Sequence, residues 1–446
     1  MATAQDNNSA RTSTWAFALR ALAHRNYRLF FSGQTVSLVG TWMTRLATSW
    51  LVYRLTNSAF LLGFIGFAGQ IPTFLLAPIA GVWVDRLNRH HVLVVTQILS
   101  MVQSFWLAAL ALTHHITFWD IFWLSIFQGA INAFDMPARQ AFVTQMVSAR
   151  EDLPNAIALN SSMVNASRLI GPSIAGVVIA AVGEGWCFFI DGVSYIAVIV
   201  SLLLMRNFGL QAARKRESVI VELREGWRYV VSFKPIRSIL LLLAMVSLFG
   251  MPYTVLMPIF ARDVLHGGPH TLGFLTGAIG VGALFSAAYL ATRKSVRGLG
   301  RVIPTVTIVF GAALIIFGLS HWLPLSIVIL LFAGFGMMQA MAASNTILQT
   351  IVDEDKRGRV MAFYSMAFVG MAPFGSLVAG GLAARIGAPL TVIISGFVCI
   401  AGALLFFTQL PSIRTMIRPI YVRLGIVPEA ARGVQQASSL QSTIER

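Results

Sequence analysis

Charged residues are scarce in this chain. Of its 446 residues, 11% are Asp, Glu, Lys or Arg, whereas 57% are apolar. A soluble domain carries about a quarter charged residues, because water must solvate its surface. The composition therefore excludes a soluble protein of ordinary design. At about 20 residues for each membrane-spanning helix, the apolar residues are sufficient for about a dozen such helices.

Cysteines and the common motifs of enzymes are also nearly absent. The two cysteines, Cys187 and Cys399, lie in separate apolar runs, so we predict neither a disulfide framework nor a cysteine metal site. The sequence contains no G-x-x-x-x-G-K-[ST] loop and no H-E-x-x-H motif, which argues against an ATP-driven pump and a zinc protease. His115 and Asp120 leave one weak alternative open, the general-base pair of a membrane acyltransferase. We expect no cofactor, no metal and no enzymatic activity.

Acidic residues are few relative to basic ones, with 17 against 33, and the net charge is +16. Hydropathy predicts twelve spans, near residues 28–53, 59–80, 92–112, 117–138, 156–182, 186–205, 238–260, 271–291, 302–320, 323–350, 360–383 and 389–410. If both termini are cytoplasmic, 28 of the 33 basic residues fall in cytoplasmic segments. This is the positive-inside pattern of membrane proteins. The positive charge therefore indicates topology and contact with anionic lipids, and we expect no nucleic-acid partner.

An internal repeat divides the chain into two halves. A shift of 204 positions aligns the second half with the first without a gap, and it pairs Gln145 with Gln349, Gly171 with Gly375, Gly176 with Gly380 and Gly183 with Gly387. Two repeated halves related by an axis along the membrane normal are one architecture of secondary transporters. We predict an all-α membrane protein with twelve transmembrane helices in two six-helix repeats and both termini in the cytoplasm.

The predicted segments follow from the spans and the polar stretches between them. They are a disordered cytoplasmic N-terminus (1–25), the first six-helix half (26–205), a cytoplasmic linker with an amphipathic helix (206–237), the second six-helix half (238–411) and a cytoplasmic tail (412–446). The linker helix is predicted because apolar residues recur there at helical spacing opposite charged ones.

A resemblance to a known family adds to this interpretation. Gly81, Asp85, Arg86 and Arg89, in the stretch GVWVDRLNRHH, resemble the cytoplasmic loop signature of the major facilitator superfamily. The phrases NYRLFFSGQ, FDMPARQAF and NAIALNSS are similar to those of the branch that includes the enterobactin exporter and the transmembrane secretion effectors. The similarity extends from residue 20 to about residue 410.

The resemblance implies a transporter that works by alternating access, usually as an exporter and often driven by proton entry. It implies that Asp85 and the arginines around it form a gating latch, which holds the cytoplasmic side closed in the outward-open state. Gly171, Pro172 and Gly176 resemble the antiporter motif of the fifth span, and they imply a hinge or a tight packing seam.

Five ionisable residues lie inside or at the end of spans of the first half: Arg45, Asp135, Arg139, Arg168 and Asp191. Charges at membrane depth are costly and are usually functional. The 204-residue shift places uncharged residues at four of these positions, namely Gln339, Ala343, Ala372 and Ser395. We therefore assign the five charges to the substrate and proton pathway. Asp135 and Arg139 are spaced for a local ion pair, and Asp135 and Asp191 are the candidate proton-binding groups, because burial favours the neutral carboxyl form.

Two polar helix faces point to the same region. Span one has Gln34, Ser37, Thr41, Thr44 or Arg45, and Thr48 on one face, and span five has Ser161, Asn165 and Arg168. A one-sided polar stripe on a spanning helix is predicted to face a water-filled cavity. We assign Gln34 and Asn165 to this pathway, with Trp42 and Trp50 beside it.

Together these features predict proton-coupled export of a bulky amphipathic solute, siderophore-like or drug-like, across the bacterial cytoplasmic membrane. The expected partners are a small-molecule substrate, protons and membrane lipids, and we expect a functional monomer. Two alternatives stay open. One is a flippase of lysophospholipids or other lipids, and the other is a membrane sensor or assembly protein without transport activity.

Overall fold

The computed structural model describes residues 19–147, 149–206, 219–293 and 295–426. The predicted disordered N-terminus lies outside these residues up to position 18, as does the predicted tail from position 427. The described residues form helices almost throughout, and no strand occurs among them. This agrees with the predicted all-α class.

Thirteen long helical segments follow one another in the described residues. They are α1 (Arg25–Thr56), α2 (Ala59–Arg86), α3 (Arg89–Leu112), α4 (Phe118–Met146), α5 (Leu153–Val182), α6 (Glu184–Leu203), α7 (Val219–Ser232), α8 (Lys234–Val264), α9 (Pro269–Thr292), α10 (Leu299–Leu319), α11 (Leu323–Ile351), α12 (Glu354–Ile386) and α13 (Ala388–Arg423). Two short 3₁₀ turns, Arg20–Ala23 and Arg150–Asp152, precede α1 and α5.

Ten of these helices are long and apolar enough to cross a membrane, namely α2, α3, α5, α6 and α8 to α13. The helices α1 and α4 are not in this set although they contain 32 and 29 residues. Composition and not length therefore distinguishes them, since α1 and α4 contain more polar residues along their length, among them Arg45 in α1 and Asp135 and Arg139 in α4. A helix with such charges needs protein rather than lipid around them, and α1 packs along α5 and α6 while α4 packs along α2 and α3.

The helices form two bundles with the linker helix α7 between them in the chain. Within the bundles, α1 and α3 pack against α6, and α10 packs against α11 and α13. Between the bundles, α5 packs along α9, and α2 packs along α12. The helices α5 and α12 end at Gly183 and Gly387, with φ of +93° and +83°. These two glycines are a pair in the 204-residue repeat, and each supplies the positive φ that other residues adopt at a cost.

The two ends of the bundle differ in how the halves meet. We call the end that holds residues 57–58, 183, 265–268 and 387 the opposite face, and the end that holds both described termini the terminal face. Near the opposite face the backbones of α2 and α12 touch at glycines. A Cβ atom on Gly63 would lie 2.4 Å from the carbonyl oxygen of Ser376 and 2.7 Å from the Cα of Gly380.

The second interface between the halves is built in the same way. A Cβ atom on Gly176 of α5 would lie 2.8 Å from the carbonyl oxygen of Pro269 and 3.0 Å from the Cα of Gly273 in α9. Small residues let helices approach to backbone contact, which excludes both water and lipid. We call these two contacts together the glycine seam.

Polar contacts follow the same division. The two described side-chain hydrogen bonds between the halves are at the opposite face, where Tyr53 donates to the carboxylate of Asp263 and Arg262 donates to Asn57 over 2.7 Å. At the terminal face, the ion pair between Glu225 and Arg359, 2.6 Å long, joins α7 to the second half. The described contacts thus close the molecule at the opposite face.

Three features of the helices differ from the sequence prediction. The helix α13 continues to Arg423, so position 412, predicted to begin the tail, lies inside a helix. The helix α8 contains π turns at Val246–Gly250 and Phe260–Val264, and α12 contains one at Met366–Gly370. Hydropathy is averaged over a whole span, so it does not detect a π turn, which contains one residue more than a regular helical turn.

Candidate functional site

Asp191 on α6 is the most enclosed carboxyl group of the first half. It is 1% exposed, and its Oδ2 accepts hydrogen bonds from Thr44 of α1 over 2.8 Å and from Ser104 of α3 over 3.0 Å. Its Oδ1 is buried and has no hydrogen-bond partner in the described part of the chain. A Cβ atom on Gly40 would lie 2.7 Å from this Oδ1, so the absence of a side chain there lets α1 approach the carboxyl group.

Arg45 lies near Asp191 without forming an ion pair with it. The described residues place no carboxylate within 4 Å of the Arg45 guanidinium. Its Cζ instead lies 4.7 Å from the ring centroid of Trp42. Arg45 is exposed although it is in the middle of α1, and the groups that act on it electrostatically include Arg168, Arg139 and Asp191. Its exposed surface therefore faces the interior of the bundle rather than lipid.

Arg168 on α5 approaches the same indole ring. Its Cζ lies 5.1 Å from the Trp42 ring centroid, within the range of a cation–π contact. The next turn of α5 is held against α1, since a Cβ atom on Gly171 would lie 2.5 Å from the Cβ of Trp42. The ring of Trp42 thus contacts two guanidinium groups, one from α1 and one from α5.

Tyr253 brings the second half into this cluster. It lies in α8, is 1% exposed, and is an electrostatic neighbour of Arg168. Both its hydroxyl oxygen and the Nε of Arg168 are buried without a hydrogen-bond partner among the described residues. Buried polar groups nearly always have partners, so each of these two groups is an unusual feature of the interior.

Asp135 on α4 has a different environment from Asp191. Its Oδ1 accepts hydrogen bonds from Thr96 over 3.0 Å and from Gln97 over 2.8 Å, and its Oδ2 lies 2.9 Å from Arg139. The local ion pair that the spacing of Asp135 and Arg139 predicts is therefore confirmed. These three contacts, two from α3 and one from α4, satisfy both oxygens of the Asp135 carboxyl group.

The remaining pathway residues lie at some distance from this cluster. Gln34 is buried on α1, eleven residues before Arg45, which corresponds to about 16 Å along a helix axis. Asn165 is partly buried and donates to the carbonyl oxygen of Ser161, one turn before Arg168. The structure thus brings Arg45, Arg168 and Asp191 into one region and leaves Gln34 outside it.

Sequence and structure comparisons place the chain in a family. The sequence pattern of the transmembrane secretion effectors matches residues 12–419. The chain belongs to this family. It is 24% identical to the staphyloferrin A transporter of Staphylococcus aureus, over 85% of this chain and 95% of that one. It is 26% identical to the multidrug efflux pump Tap of Mycolicibacterium fortuitum, over 77% and 86%, and 24% identical to the enterobactin exporter EntS of Salmonella typhi, over 90% and 96%.

Solved structures show the same fold. A bacterial homologue of the iron transporter ferroportin in an inward-facing state superposes with a TM-score of 0.66, at 16% identity over 87% of this chain and 98% of that one. A POT family transporter in complex with 5-aminolevulinic acid gives 0.70, at 13% identity over 87% and 96%. The resemblance to the enterobactin exporter branch of the major facilitator superfamily is confirmed. The protein is a multi-pass membrane transporter of small molecules and not an enzyme.

The family's loop signature lies at the terminal face. Gly81 is near the end of α2, where a Cβ atom would meet no described atom within 4 Å, and the exposed Arg86 and the partly buried Arg89 follow it. Asn88 caps α3 by accepting hydrogen bonds from two backbone amides over 3.0 and 3.4 Å. The side chain of Asp85 lies outside the described part of the chain, so the gating latch stays a prediction.

The motif of the fifth span is a packing element in this transporter. The helix α5 continues from Leu153 to Val182 across Pro172. Gly171 faces Trp42 of α1, and Gly176 faces Gly273 of α9. The predicted packing seam is therefore present, and the hinge at Pro172 stays a prediction.

Sequence reasoning missed the contribution of α3. Its buried polar residues Thr96, Gln97, Ser100, Gln103 and Ser104 are spaced at helical intervals along one face. They supply hydrogen-bond donors to both Asp135 and Asp191. The spacing is visible in the sequence and could have indicated this face. Tyr253, in contrast, gives no such signal, since it is an isolated polar residue in an apolar span.

The alternative site at His115 and Asp120 has a structural explanation. Asp120 accepts hydrogen bonds from the backbone and the side chain of Thr117, over 2.8 and 2.6 Å, and forms a capping box at the start of α4. A carboxylate at this position satisfies backbone donors at a helix N-terminus. Together with the family, this removes the acyltransferase alternative.

Proposed function

We propose that this transporter is a proton-coupled exporter of bulky amphipathic solutes in the bacterial cytoplasmic membrane. It crosses the membrane twelve times, with both termini in the cytoplasm, and works as a monomer. The excess of basic residues in the terminal-face segments supports this orientation. The ten apolar helices, together with the more polar α1 and α4, supply the twelve crossings.

The arrangement of the halves supports alternating access. The glycine seam and the hydrogen bond from Tyr53 to Asp263 close the opposite face, which is the external side in the proposed orientation. Solute then enters the cluster around Trp42 from the cytoplasmic side. Release outside requires the seam to open and the cytoplasmic ends to close, and closure is the step in which the latch around Asp85 acts.

We assign the proton site from a difference between the two buried carboxyl groups. Asp135 has an ion-pair partner and two hydrogen-bond donors, whereas the described residues offer Asp191 no ion pair and leave its Oδ1 without a partner. An acidic side chain at membrane depth that is not paired is typical of a proton relay. We assign the transported proton to Asp191, with Thr44 and Ser104 holding its other oxygen.

The names of the relatives support the solute class. They are described as transporters or exporters of staphyloferrin A and enterobactin and as a multidrug efflux pump. A cluster with guanidinium groups, an indole ring and hydroxyl groups fits a solute that has both polar and apolar parts.

Flux in proteoliposomes tests this function. The purified full chain is reconstituted with an imposed proton gradient, and proton movement is followed with a pH-sensitive dye for siderophore-like, drug-like and lysolipid solutes. We expect proton flux that depends on a siderophore-like or drug-like solute. The D191N variant should lose at least 100-fold of this coupled flux and keep solute binding, because an amide cannot exchange the proton.

The D120N variant is the matched control, since Asp120 caps α4 and lies away from the cluster. It should keep the flux of the native protein. Full coupled flux in D191N, with correct insertion, would refute the assignment of the proton to Asp191. Proton movement that depends on none of the solutes would refute proton-coupled export.

One observation favours the lipid flippase as a second candidate. An apolar groove of about 480 Å³ lies on α3 and is lined by Val102, Phe105, Trp106, Ala109, Leu110 and Thr113. It has room for an acyl chain, but its lining residues are all in α3 or, for Thr113, directly after it, whereas a lateral gate opens between two helices. Lysolipid-dependent flux in the same assay, with none for the other solutes, would favour this candidate.

A further inference from the structure

The charges of the cluster do not balance in the described structure. Arg139 is paired with Asp135, which leaves Arg45 and Arg168 against Asp191. Neither of these two arginines lies within ion-pair distance of a described carboxylate. Even with Asp191 ionised, one positive charge at membrane depth therefore lacks a counterion. Such charges are costly unless another group pairs with them.

The ring of Trp42 holds the guanidinium groups of Arg45 and Arg168 close enough together to bind one ligand. Each Cζ lies about 5 Å from the same ring centroid, so the two groups are at most about 10 Å apart. A guanidinium that contacts an aromatic ring keeps N–H groups available at its edge, and these match the two oxygens of a carboxylate. Two like charges close to one ring also repel each other, and an anion between them relieves that repulsion.

The orphan donors of the cluster point to the same kind of ligand. The Nε of Arg168 and the hydroxyl of Tyr253 are both buried, and neither has a partner among the described residues. The first is solely a donor, and the second can donate as well. Tyr253 belongs to the second half, so a ligand that accepts from both would contact both halves of the transporter.

We propose that Arg45, Arg168 and Tyr253 bind an oxyanion of the transported solute, and that the solute is an aromatic or otherwise apolar molecule with one or more carboxylate groups. This rests on the proposed function, because it assigns the substrate class of the same cluster. The ring of Trp42 contacts the apolar part of the solute. Solutes that are cationic at the corresponding position are excluded by the two arginines.

A pair of probes that differ only in charge tests the proposal. Dansyl-glutamate carries two carboxylates, and its dimethyl ester carries none on the same fluorophore. Both are titrated by fluorescence against the purified, detergent-solubilised full chain at constant pH. We expect the native protein to bind the acid at least tenfold more tightly than the ester. Equal affinity for the two probes would overturn the proposal. This test uses the native protein alone.

Variants then locate the binding groups. R45Q and R168Q should each weaken binding of the acid at least tenfold and leave ester binding within twofold, and Y253F should weaken acid binding about threefold. The R168K variant keeps the positive charge but lacks the planar guanidinium, so it should bind the acid with intermediate affinity. It also tests the site if R168Q does not fold. The control is R385Q, since Arg385 is exposed at the end of α12. Equal losses for both probes in R45Q and R168Q would contradict the proposal.

The two proposals fail in different ways. If the acid binds through Arg45 and Arg168 but no solute moves protons in proteoliposomes, the anion site stands and proton-coupled export fails. If coupled flux occurs with cationic or neutral solutes and not with carboxylates, transport stands and the anion site fails as the substrate site.

Discussion

The two halves of this transporter have the same fold but differ in their chemistry. In the first half, Asp135 and Asp191 accept hydrogen bonds from neighbouring helices. Their counterparts under the 204-residue shift are Gln339, which accepts from Ser286 over 2.8 Å, and Ser395, which bonds only to its own helix among the described residues. The second half shows that the fold forms without these charges. The repeated fold alone therefore does not require these charges.

The halves also differ in the regularity of their helices. The helix α5 is continuous, whereas α12 contains the π turn Met366–Gly370, which corresponds to residues 162–166 of α5 under the shift. The helix α8 contains two more π turns. Such turns are frequent at functional sites and loosen the regular bonding of a helix. The comparison shows that, in the described spans, the charges at membrane depth are concentrated in the first half and the π turns in the second.

The largest effect is expected where the halves touch. The G63V variant places side-chain atoms against the backbone of α12, where a Cβ already lies 2.4 Å from a carbonyl oxygen. Because backbone cannot move aside cheaply, we expect the opposite face to stay open and flux to fall at least 100-fold, with insertion unchanged. Flux in proteoliposomes and cysteine accessibility at the opposite face measure this.

The control for this variant is G381V on the same stretch of α12, because a Cβ on Gly381 meets no described atom within 4 Å. It should keep flux within about twofold. Normal flux in G63V would show that the halves need not close along the glycine seam.

A smaller effect, on the free energy of unfolding, is expected when Asp135 or its uncharged counterpart Gln339 is replaced. The D135N variant leaves Arg139 without its ion pair, and breaking a buried pair costs about 3–5 kcal/mol. Because the Arg139 side chain remains 21% exposed, we expect a loss of about 2 kcal/mol in the free energy of unfolding. The Q339A variant removes one neutral hydrogen bond and should cost about 1 kcal/mol.

Thermal unfolding in detergent compares the two variants directly. If Q339A destabilised the protein as much as D135N, the charge of the first half would make no special contribution to its stability, and the contrast between the halves would be lost at this position.

The smallest effect is expected at the hydrogen bond across the opposite face. The Y53F variant removes the donor to Asp263, and one hydrogen bond to a charged group contributes about 1.5–3 kcal/mol at most. Since this site is partly exposed, we expect a shift of about fivefold toward the state that is open at this face. Distances between spin labels on α1 and α8 measure the two populations.

The matched control is Y364F, which removes a hydrogen bond to the carbonyl oxygen of Met341 inside the second half. It should leave the populations of the two states unchanged. Equal shifts in both variants would mean that the Tyr53–Asp263 contact does not gate the opposite face.

Much of this fold could be predicted from the sequence. The repeat predicted the equivalence of Gly183 and Gly387, which both adopt a positive φ at the end of a helix. The spacing of Asp135 and Arg139 predicted their ion pair. Both features depend on local geometry, which the order of residues determines directly.

Other features depend on how helices approach one another. The polar face of α1 was predicted to line a cavity, but Thr44 donates to Asp191 and packs against α6. The approach of Tyr253 to Arg168 could not be predicted, because it depends on the position of α8 relative to α5.

The order of residues is enough to establish that this protein spans a membrane as two repeated halves and that the charges at membrane depth are in the first half. Hydropathy, repeat and helical spacing carry that information, because they are properties of order along the chain. The tertiary structure decided which charges are paired. Asp135 has a partner one turn away, whereas Asp191, Arg45 and Arg168 depend on the packing of separate helices, which left them without ion pairs among the described residues.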